Sequence, residues 1–290
     1  MRMFHCHGDK SVAYFAPIIV LTLARNKFAR ALKRGESRFS PLKNPPIAQG
    51  SCLPELLCVS SNVRFLKCFG YIWNATLAPL LGFKGGTCAY FFYNLPRFSV
   101  DLDFDLLPSE KQHQEIFATV CTILKAYGTL KDARIKRYTI FALLSYGDAD
   151  CNIKVEINIR NLEPNIRDYF VCRKYLGISM LAAKKTYLFT CKLIALTSRN
   201  TVAMRDVYDI YFFAKNNWDI DAAMLQNRTG KNLHAYLSNC IALVEQIKNN
   251  QILSGLGELI SSQEKTRIKA HLKEEVLFML RNYLSAFVSP

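Results

Sequence analysis

Asp101, Asp103 and Asp105 alternate with apolar residues in one short segment of the chain. Successive side chains of a β-strand point to opposite faces, so a strand here places all three carboxylates on one face. Carboxylates at this spacing repel one another, and no lysine or arginine stands among them in the segment. A divalent cation offsets such charge, and hard oxygen ligands suit magnesium. The pattern predicts a magnesium site, and a solvated edge strand is the alternative.

A glycine-rich segment, Phe83-Lys84-Gly85-Gly86-Thr87, precedes the acidic strand at the start of a predicted helix. Glycine has no Cβ, so the backbone at Gly85 and Gly86 can approach a phosphate closely. The amides at a helix N-terminus point at a bound anion, and the Thr87 hydroxyl can donate to a phosphate oxygen. Thr87 as the N-cap of the helix is the alternative. A phosphate-binding turn beside a magnesium-binding carboxylate pair indicates nucleotidyl transfer, in which the metal bridges triphosphate oxygens.

A third carboxylate from a neighbouring strand usually completes such a site, and Glu156 is the candidate. The sequence predicts a hairpin that pairs residues 134–146 with a return strand at 152–160. Glu156 lies on the polar face of the return strand and has apolar neighbours on both sides. It is either a third metal ligand or a solvent-facing residue paired with Lys154, and both interpretations stay open. Arg97, just before the acidic strand, is predicted to pair with Asp101 or with a phosphate.

The composition is that of an ordinary globular chain, and its charge predicts an anionic partner. The 290 residues include 50% hydrophobic and 21% charged residues and carry a formal net charge of +15. That charge favours a nucleic acid or nucleotide as the partner. The ten cysteines are scattered and form no CxxC pair, which predicts a reducing, cytoplasmic environment. No apolar run reaches the roughly 20 residues of a transmembrane helix, so no membrane partner is expected.

The order of predicted elements divides the chain into three regions. Residues 1–55 contain no motif and have the composition of a linker, so they are predicted to be a disordered or non-native N-terminal extension. Strands and helices alternate up to about residue 175, and the pattern is helical after about residue 178. This order predicts an α+β fold.

Five motifs occur along the chain in an order that resembles a known family. They are Phe83-Lys84-Gly85-Gly86-Thr87, residues 95–105 with Asp101-Leu102-Asp103, Lys154-Val155-Glu156-Ile157, Lys192-Leu193-Ile194-Ala195-Leu196, and Arg205-Asp206-Val207-Tyr208-Asp209. Together they resemble the AbiEii/AbiGii family of nucleotidyltransferase-like toxins, the toxin half of type IV toxin–antitoxin and abortive-infection systems. The resemblance covers residues 63–216. It implies a polymerase-β-like nucleotidyltransferase core with a mixed sheet over residues 60–175, and a helical domain over 176–290 that completes the active site.

The resemblance also implies roles for individual residues. The nucleotide-binding residues are Lys84, Gly85, Gly86 and Thr87, the catalytic residues are Asp101, Asp103, Lys192 and Asp206, and the metal ligands are Asp101 and Asp103, with Glu156 as a third. Lys184 and Lys185 are alternatives for the catalytic lysine. Asp206 and Asp209 lie three residues apart on one helix face, so one of them is predicted to act as a base or to orient Lys192, and a surface salt bridge with Arg205 is the alternative.

The expected function is transfer of a nucleotide from a nucleoside triphosphate to an acceptor, with Mg²⁺ or Mn²⁺ as the cofactor. The resemblance implies a tRNA acceptor, growth arrest as the effect, and a cognate antitoxin encoded nearby. Two alternatives stay open: a catalytically silent module that holds nucleic acid or a partner, and a nucleotidyltransferase that modifies a protein side chain. The intact Asp-x-Asp pair argues against the first, and the net charge favours RNA over the second.

Overall fold

The computed structural model describes residues 77–99, 101–145, 152–160, 163, 165–175 and 177–286. The predicted extension over residues 1–55 and the predicted hairpin turn at 147–150 lie outside these residues. The strands are β1 (Leu81–Lys84), β2 (Leu102–Leu106), β3 (Thr129–Lys136), β4 (Thr139–Ser145), β5 (Asn152–Asn158), β6 (Phe170–Tyr175) and β7 (Ile178–Ala183). The helices are α1 (Gly85–Tyr93), α2 (His113–Lys125), α3 (Lys185–Ser198), α4 (Met204–Lys215), α5 (Ala222–Thr229), α6 (Leu233–Glu245) and α7 (Ser262–Ala286).

In the described part of the chain the strands form one mixed sheet in the order β3-β4-β5-β2-β1-β7-β6. Strand β2 runs parallel to β5 and antiparallel to β1, and β1 runs parallel to β7. The remaining neighbours are antiparallel. The acidic strand β2 therefore lies at the centre of the sheet, and the edge-strand interpretation of its carboxylates is wrong.

One face of the sheet is apolar because every second residue of its strands is apolar. Leu102 and Phe104 of β2 are fully buried, as are the alternate residues of β4 and β5 that lie beside them. Helix α2 packs against β3 and β4 and buries Ile116, Val120 and Leu124, which recur at the spacing of one helix face. The carboxylates of β2 point to the opposite face.

The first strand of the predicted hairpin is two strands in the structure. Strand β3 ends at Lys136, the chain turns at Arg137 and Tyr138, and β4 begins at Thr139. The turn contains no glycine, proline or asparagine, which are the usual signals of a two-residue turn. The return strand was predicted correctly, and β5 pairs with β4 in antiparallel register.

The helical half begins later than the sequence pattern indicates. Residues 178–183 form β7, which pairs with β1 and β6 and thus extends the sheet past residue 175. A short apolar run of this kind has no period that separates a buried strand from a buried helix. From Lys185 onward the regular elements of the described residues are helices and short 3-10 turns, so the α+β prediction is confirmed. None of the described helices is both long and apolar enough to cross a membrane.

Candidate active site

A pocket of polar and charged side chains lies between the centre of the sheet and helices α3 and α4. The described residues that line it come from the start of α1, the loop before β2, strands β2 and β5, and the two helices. They are Gly86, Arg97, Ser99, Asp101, Asp103, Lys154, Glu156, Lys192, Arg199, Arg205 and Asp206. The fold thus brings most of the predicted site residues into one place.

The glycine turn packs directly on the acidic strand. Gly85 has a φ of +77°, a conformation that favours glycine, and it is the first residue of α1. A Cβ at Gly85 would lie 2.9 Å from both Cβ and Cγ of Asp103, which is closer than these atoms can approach. A Cβ at Gly86 would lie 3.2 Å from Cζ of Arg97. Gly85 therefore allows the N-terminus of α1 to meet the carboxylate of Asp103, and Gly86 leaves room for the guanidinium of Arg97.

Thr87 forms hydrogen bonds with the segment that precedes β2. Its side chain is fully buried, and its hydroxyl donates to the backbone carbonyl of Asp101 at 2.5 Å. The hydroxyl oxygens of Thr87 and Ser99 are 2.9 Å apart. Lys84 occupies the N-cap position of α1 without a side-chain cap, so the N-cap interpretation of Thr87 is wrong. A contact of Thr87 with nucleotide stays a prediction.

Asp101 and Asp103 differ in their surroundings. One carboxylate oxygen of Asp101 lies 3.1 Å from Nζ of Lys154 and 3.5 Å from Nη1 of Arg205. No basic group among the described residues lies within ion-pair distance of Asp103. Burial raises the pKa of Asp103, and the charge of Asp101 adds to this effect. A cation in the pocket would therefore stabilise the Asp103 carboxylate.

Glu156 lies beside Asp103, because the two residues are paired in the parallel register of β5 and β2. Nζ of Lys154 lies 3.1 Å from Glu156 and also 3.1 Å from Asp101, so one ammonium bridges two carboxylates. Burial lowers the pKa of Lys154, but the two carboxylates outweigh burial and raise it. Glu156 thus pairs with Lys154, as one interpretation of the sequence holds, yet both side chains line the pocket.

Lys192 on α3 is held by two aspartates of α4. Its Nζ lies 2.7 Å from Oδ1 of Asp206 and 2.8 Å from Oδ2 of Asp209. Burial opposes the charged form, but the two aspartates raise the pKa of Lys192 and keep it protonated. Lys184 is the N-cap of α3, and the ammonium of Lys185 lies over two aromatic rings. Of the three candidate lysines, Lys192 is the one that lines the pocket.

Asp209 also binds Arg97, which comes from the loop before β2. Nε and Nη2 of Arg97 donate to the two carboxylate oxygens of Asp209 at 2.5 and 2.7 Å. The pairing of Arg97 with Asp101 predicted from the sequence is therefore wrong. Oδ2 of Asp206 is buried and accepts no hydrogen bond from the described residues, although Nε of Arg199 lies 3.2 Å away. Arg205 pairs with Asp101 and not with either aspartate of α4.

Asp105, the third member of the acidic row, is fully satisfied inside the protein. Its Oδ1 accepts from Nζ of Lys84 at 2.6 Å and from Nδ2 of Asn158 at 2.7 Å, and its Oδ2 accepts from the Tyr187 hydroxyl at 2.5 Å. Burial alone would raise the pKa of Asp105, but Lys84 and these hydrogen bonds lower it. The ammonium of Lys84 thus faces Asp105, and a contact of Lys84 with nucleotide stays a prediction.

Sequence reasoning missed four residues that line the pocket. Ser99, Lys154, Arg199 and Arg205 were either not singled out or given another partner. The sequence pattern indicates Lys154 only as a partner of Glu156, and Arg205 only as a partner of the aspartates on α4. Their spacing in the sequence carries no signal of a shared site, because Lys154 and Arg205 reach Asp101 from β5 and α4.

The donor set of the pocket fits a divalent cation that is shared with a substrate. The described residues contain no group of three or more His, Cys, Asp or Glu side chains that could hold a metal ion by themselves. Magnesium in nucleotide enzymes is usually held by one or two carboxylates, while substrate phosphates and water supply the remaining oxygens. Asp101 and Asp103 provide such a carboxylate pair, and burial together with the charge of Asp101 raises the pKa of Asp103 although three lysines nearby oppose this.

Comparison with solved structures finds similar chains in Helicobacter pylori and Thermotoga maritima. A candidate nucleotidyltransferase from H. pylori is 18% identical, with a TM-score of 0.49, over 83% of this chain and 100% of that one. JHP933 from H. pylori is 16% identical, with a TM-score of 0.45, over 82% of this chain and 98% of that one. A candidate nucleotidyltransferase from T. maritima is 17% identical, with a TM-score of 0.30, over 51% of this chain and 88% of that one.

No protein of curated function matches the sequence. A family model does match it, over residues 65–284, and it describes the AbiEii nucleotidyl transferase toxin of type IV toxin–antitoxin systems. The match covers more than half of the chain and includes every residue that lines the pocket. The chain therefore belongs to the AbiEii family of nucleotidyl transferase toxins.

Proposed function

We propose that this protein transfers a nucleotide from a nucleoside triphosphate to an RNA acceptor, with Mg²⁺ held by Asp101 and Asp103. The observation that carries this proposal is the contact between the N-terminus of α1 and the carboxylate of Asp103, which Gly85 makes possible. An anion-binding helix end thereby shares one pocket with the half-buried carboxylate of Asp103, which forms no ion pair with the described residues. The negative triphosphate complements the helix end, and its bound cation complements the carboxylate.

The triphosphate is bound by the positive groups around the pocket. The first amides of α1 carry no side-chain cap, and they are the donors that bind phosphate at a helix N-terminus. Arg199 and Arg205 line the same pocket and keep 45% and 37% of their side chains exposed, so they are accessible to an incoming anion. When magnesium is bound, it offsets charge on the phosphates and fixes their orientation. Glu156 as a third ligand stays a prediction.

Lys192 stabilises the charge that develops on the leaving pyrophosphate. Such a group is most effective when it is held in place before the reaction, because it then loses no reorganisation energy. Asp206 and Asp209 hold the ammonium from two sides, and Arg97 fixes Asp209 in turn. We assign Asp206 and Asp209 to positioning Lys192. A direct role of Asp206 as the base stays a prediction.

The acceptor and the cellular setting follow from charge and family. A net charge of +15 favours a nucleic acid over most proteins as the acceptor, and tRNA is our specific proposal. Family membership supports a cognate antitoxin as the second partner. The described cysteines are free, which supports the proposed cytoplasmic location. We also propose residues 60–175 as the core and 176–290 as a mostly helical domain that completes the active site, with its strand β7 joining the sheet of the core.

The test is incorporation of labelled ATP, CTP, GTP and UTP into total tRNA and, in parallel, into total protein. The parent should label RNA in the presence of magnesium and lose this activity with EDTA. Asp101→Asn and Asp103→Asn should be inactive, while Asp132→Asn, which changes an accessible carboxylate of β3, should behave as the parent. Label in protein alone would favour the protein-modifying alternative. Activity of both Asn variants at the parent's level would refute the assignment of the carboxylates.

A further inference from the structure

The hairpin of β3 and β4 carries basic and aromatic side chains at the edge of the sheet. We call this set the hairpin surface, and it consists of Arg134, Lys136, Arg137, Tyr138, Phe141 and Arg160. The Arg134 side chain is 62% exposed, and Tyr138 is 41% exposed. Arg134 also pairs with Asp132 at 3.0 Å, and both side chains are accessible to solvent. The surface is therefore basic, open and partly aromatic.

Cations and rings on the hairpin surface are stacked on one another. The guanidinium carbons of Arg137 and Arg160 lie 5.0 and 4.9 Å from the ring centre of Tyr138. Nζ of Lys136 lies 3.9 Å from the ring centre of Phe141, and the guanidinium carbon of Arg134 lies 6.0 Å from it. Unpaired bases stack on aromatic rings and on guanidinium planes, and the same cations bind phosphates. This chemistry suits a single strand, because a duplex hides the faces of its bases.

The hairpin surface and the pocket lie on the same face of the sheet. Arg134 is paired with Phe141, Phe141 with Glu156, and Glu156 with Asp103. Directly paired residues point to the same face, so these four side chains form a row across four strands. Neighbouring strands are about 4.8 Å apart, so the row spans roughly 14 Å from Arg134 to Asp103. Helix α2 packs on the other face of β3 and β4 and leaves the row uncovered from that side.

We propose that the hairpin surface binds a single-stranded segment of a nucleic-acid acceptor and leads it to the pocket. The role in delivery rests on the function proposed above, but the binding itself does not. The positive charge of the surface complements phosphates, and its exposed tyrosine gives a base a partner for stacking. An acidic protein would bind through the positive charges alone. Stacking on the Tyr138 ring therefore distinguishes a nucleic acid from an acidic protein.

The test is fluorescence anisotropy with a labelled 12-nucleotide oligouridylate and the full-length protein, in EDTA and without nucleoside triphosphate. Arg137→Ala/Arg160→Ala should weaken binding and reduce the slope of log K against log salt by about 1.4, which is about 0.7 for each lost phosphate contact. Tyr138→Ala should weaken binding roughly 5- to 100-fold, whereas Tyr138→Phe should retain it. Arg173→Ala/Lys174→Ala is the matched control, because it removes two exposed cations from β6 at the opposite edge of the sheet.

Equal losses in the hairpin double variant and the β6 double variant would overturn the proposal, since the protein would then bind by net charge alone. It would also be overturned if polyglutamate displaced the oligonucleotide as well as unlabelled oligouridylate did. The outcome is independent of the proposed function, because neither metal nor triphosphate is present. If the protein transfers nucleotide to RNA while the hairpin variants change neither the binding of oligouridylate nor the KM for RNA, the proposed function is supported, and the proposal for the hairpin surface is refuted.

Discussion

The ammonium of Lys154 faces two carboxylates of the pocket at once. Its ammonium lies 3.1 Å from Asp101 and 3.1 Å from Glu156, so it offsets two of the carboxylates that we assign to the metal site. A divalent cation bound by Asp101 competes with this ammonium for the same carboxylate. We therefore predict that Lys154→Met increases the affinity for metal in the absence of nucleotide.

The expected size of this effect follows from the two ion pairs. At 3.1 Å and an effective dielectric constant of about 20, Coulomb's law gives an attraction of about 5 kcal/mol for each pair, before solvation is counted. The groups keep between 23% and 34% of their side chains exposed, and partly exposed pairs of this kind contribute a net 0.2–1 kcal/mol each, roughly. Two pairs contribute about 0.4–2 kcal/mol in total. Loss of both should thus lower the Kd for metal roughly 2- to 30-fold.

The assay is a titration of the protein with Mn²⁺ followed by electron paramagnetic resonance, which counts free metal directly. Lys154→Arg should bind metal like the parent, because it keeps the charge. Lys174→Met should also bind like the parent, because it removes a charge from β6 outside the pocket. The gain in affinity should shrink at high ionic strength. If Lys154→Met binds Mn²⁺ no more tightly than the parent at low salt, the competition between ammonium and metal does not exist.

Four further predictions test other parts of the site. Gly85→Ala should destabilise the fold and weaken metal binding, because its Cβ meets the Asp103 carboxylate; urea unfolding and metal titration measure the two effects. Gly230→Ala is the control for backbone strain alone, because Gly230 has a φ of +70° and open space around it. Asp105→Asn should cost about 3–5 kcal/mol of stability at pH 7, because it breaks a buried ion pair. Its folded-state pKa is lowered, so this contribution is present at neutral pH and is lost as the pH falls through that pKa. In urea unfolding the difference between parent and variant should begin to shrink below about pH 4, the pKa of an unfolded aspartate, and disappear below the lower folded-state pKa. Lys192→Ala should reduce kcat more than it raises KM for the triphosphate, with partial rescue by Lys192→Arg; an equal loss in both would indicate a role in ground-state binding. A chain that begins at Ser60 should stay folded by circular dichroism and retain nucleotide transfer, and loss of transfer by this folded chain would show that the N-terminal region takes part in catalysis.

Local patterns predicted the parts of the site that depend on local geometry. The alternation around Asp103 predicted a strand with its carboxylates on one face, and the glycine pair predicted the start of a helix. Both signals depend on a period of two or on a backbone preference, which neighbouring residues specify. The same reasoning predicted the buried and polar faces of the return strand of the hairpin, β5.

Long-range partners could not be predicted in this way. Arg97 meets Asp209 across 112 residues, and Lys84 meets Asp105 across 21 residues. Nothing in the spacing of a lysine and an aspartate indicates that two strands will bring them together. The acidic row therefore looked uncompensated in the sequence, although lysines from β1 and β5 lie beside it in the fold. The turn at Arg137 and the strand β7 were missed for a different reason, because their local sequences lack a distinctive pattern.

The bond between Arg97 and Asp209 also determines when the active site can form during synthesis. These residues are 112 positions apart, so a ribosome that adds 5–20 residues per second needs roughly 6–22 seconds to make the second partner after the first. Until then Asp209 cannot orient Lys192, and the charges of the pocket have no fixed arrangement. The sheet can begin to fold earlier, because β1 and β2 pair within 26 residues of chain. A nascent chain thus carries Asp101 and Asp103, the carboxylates that we propose as metal ligands, for some seconds before it acquires Lys192 and the aspartates that hold it.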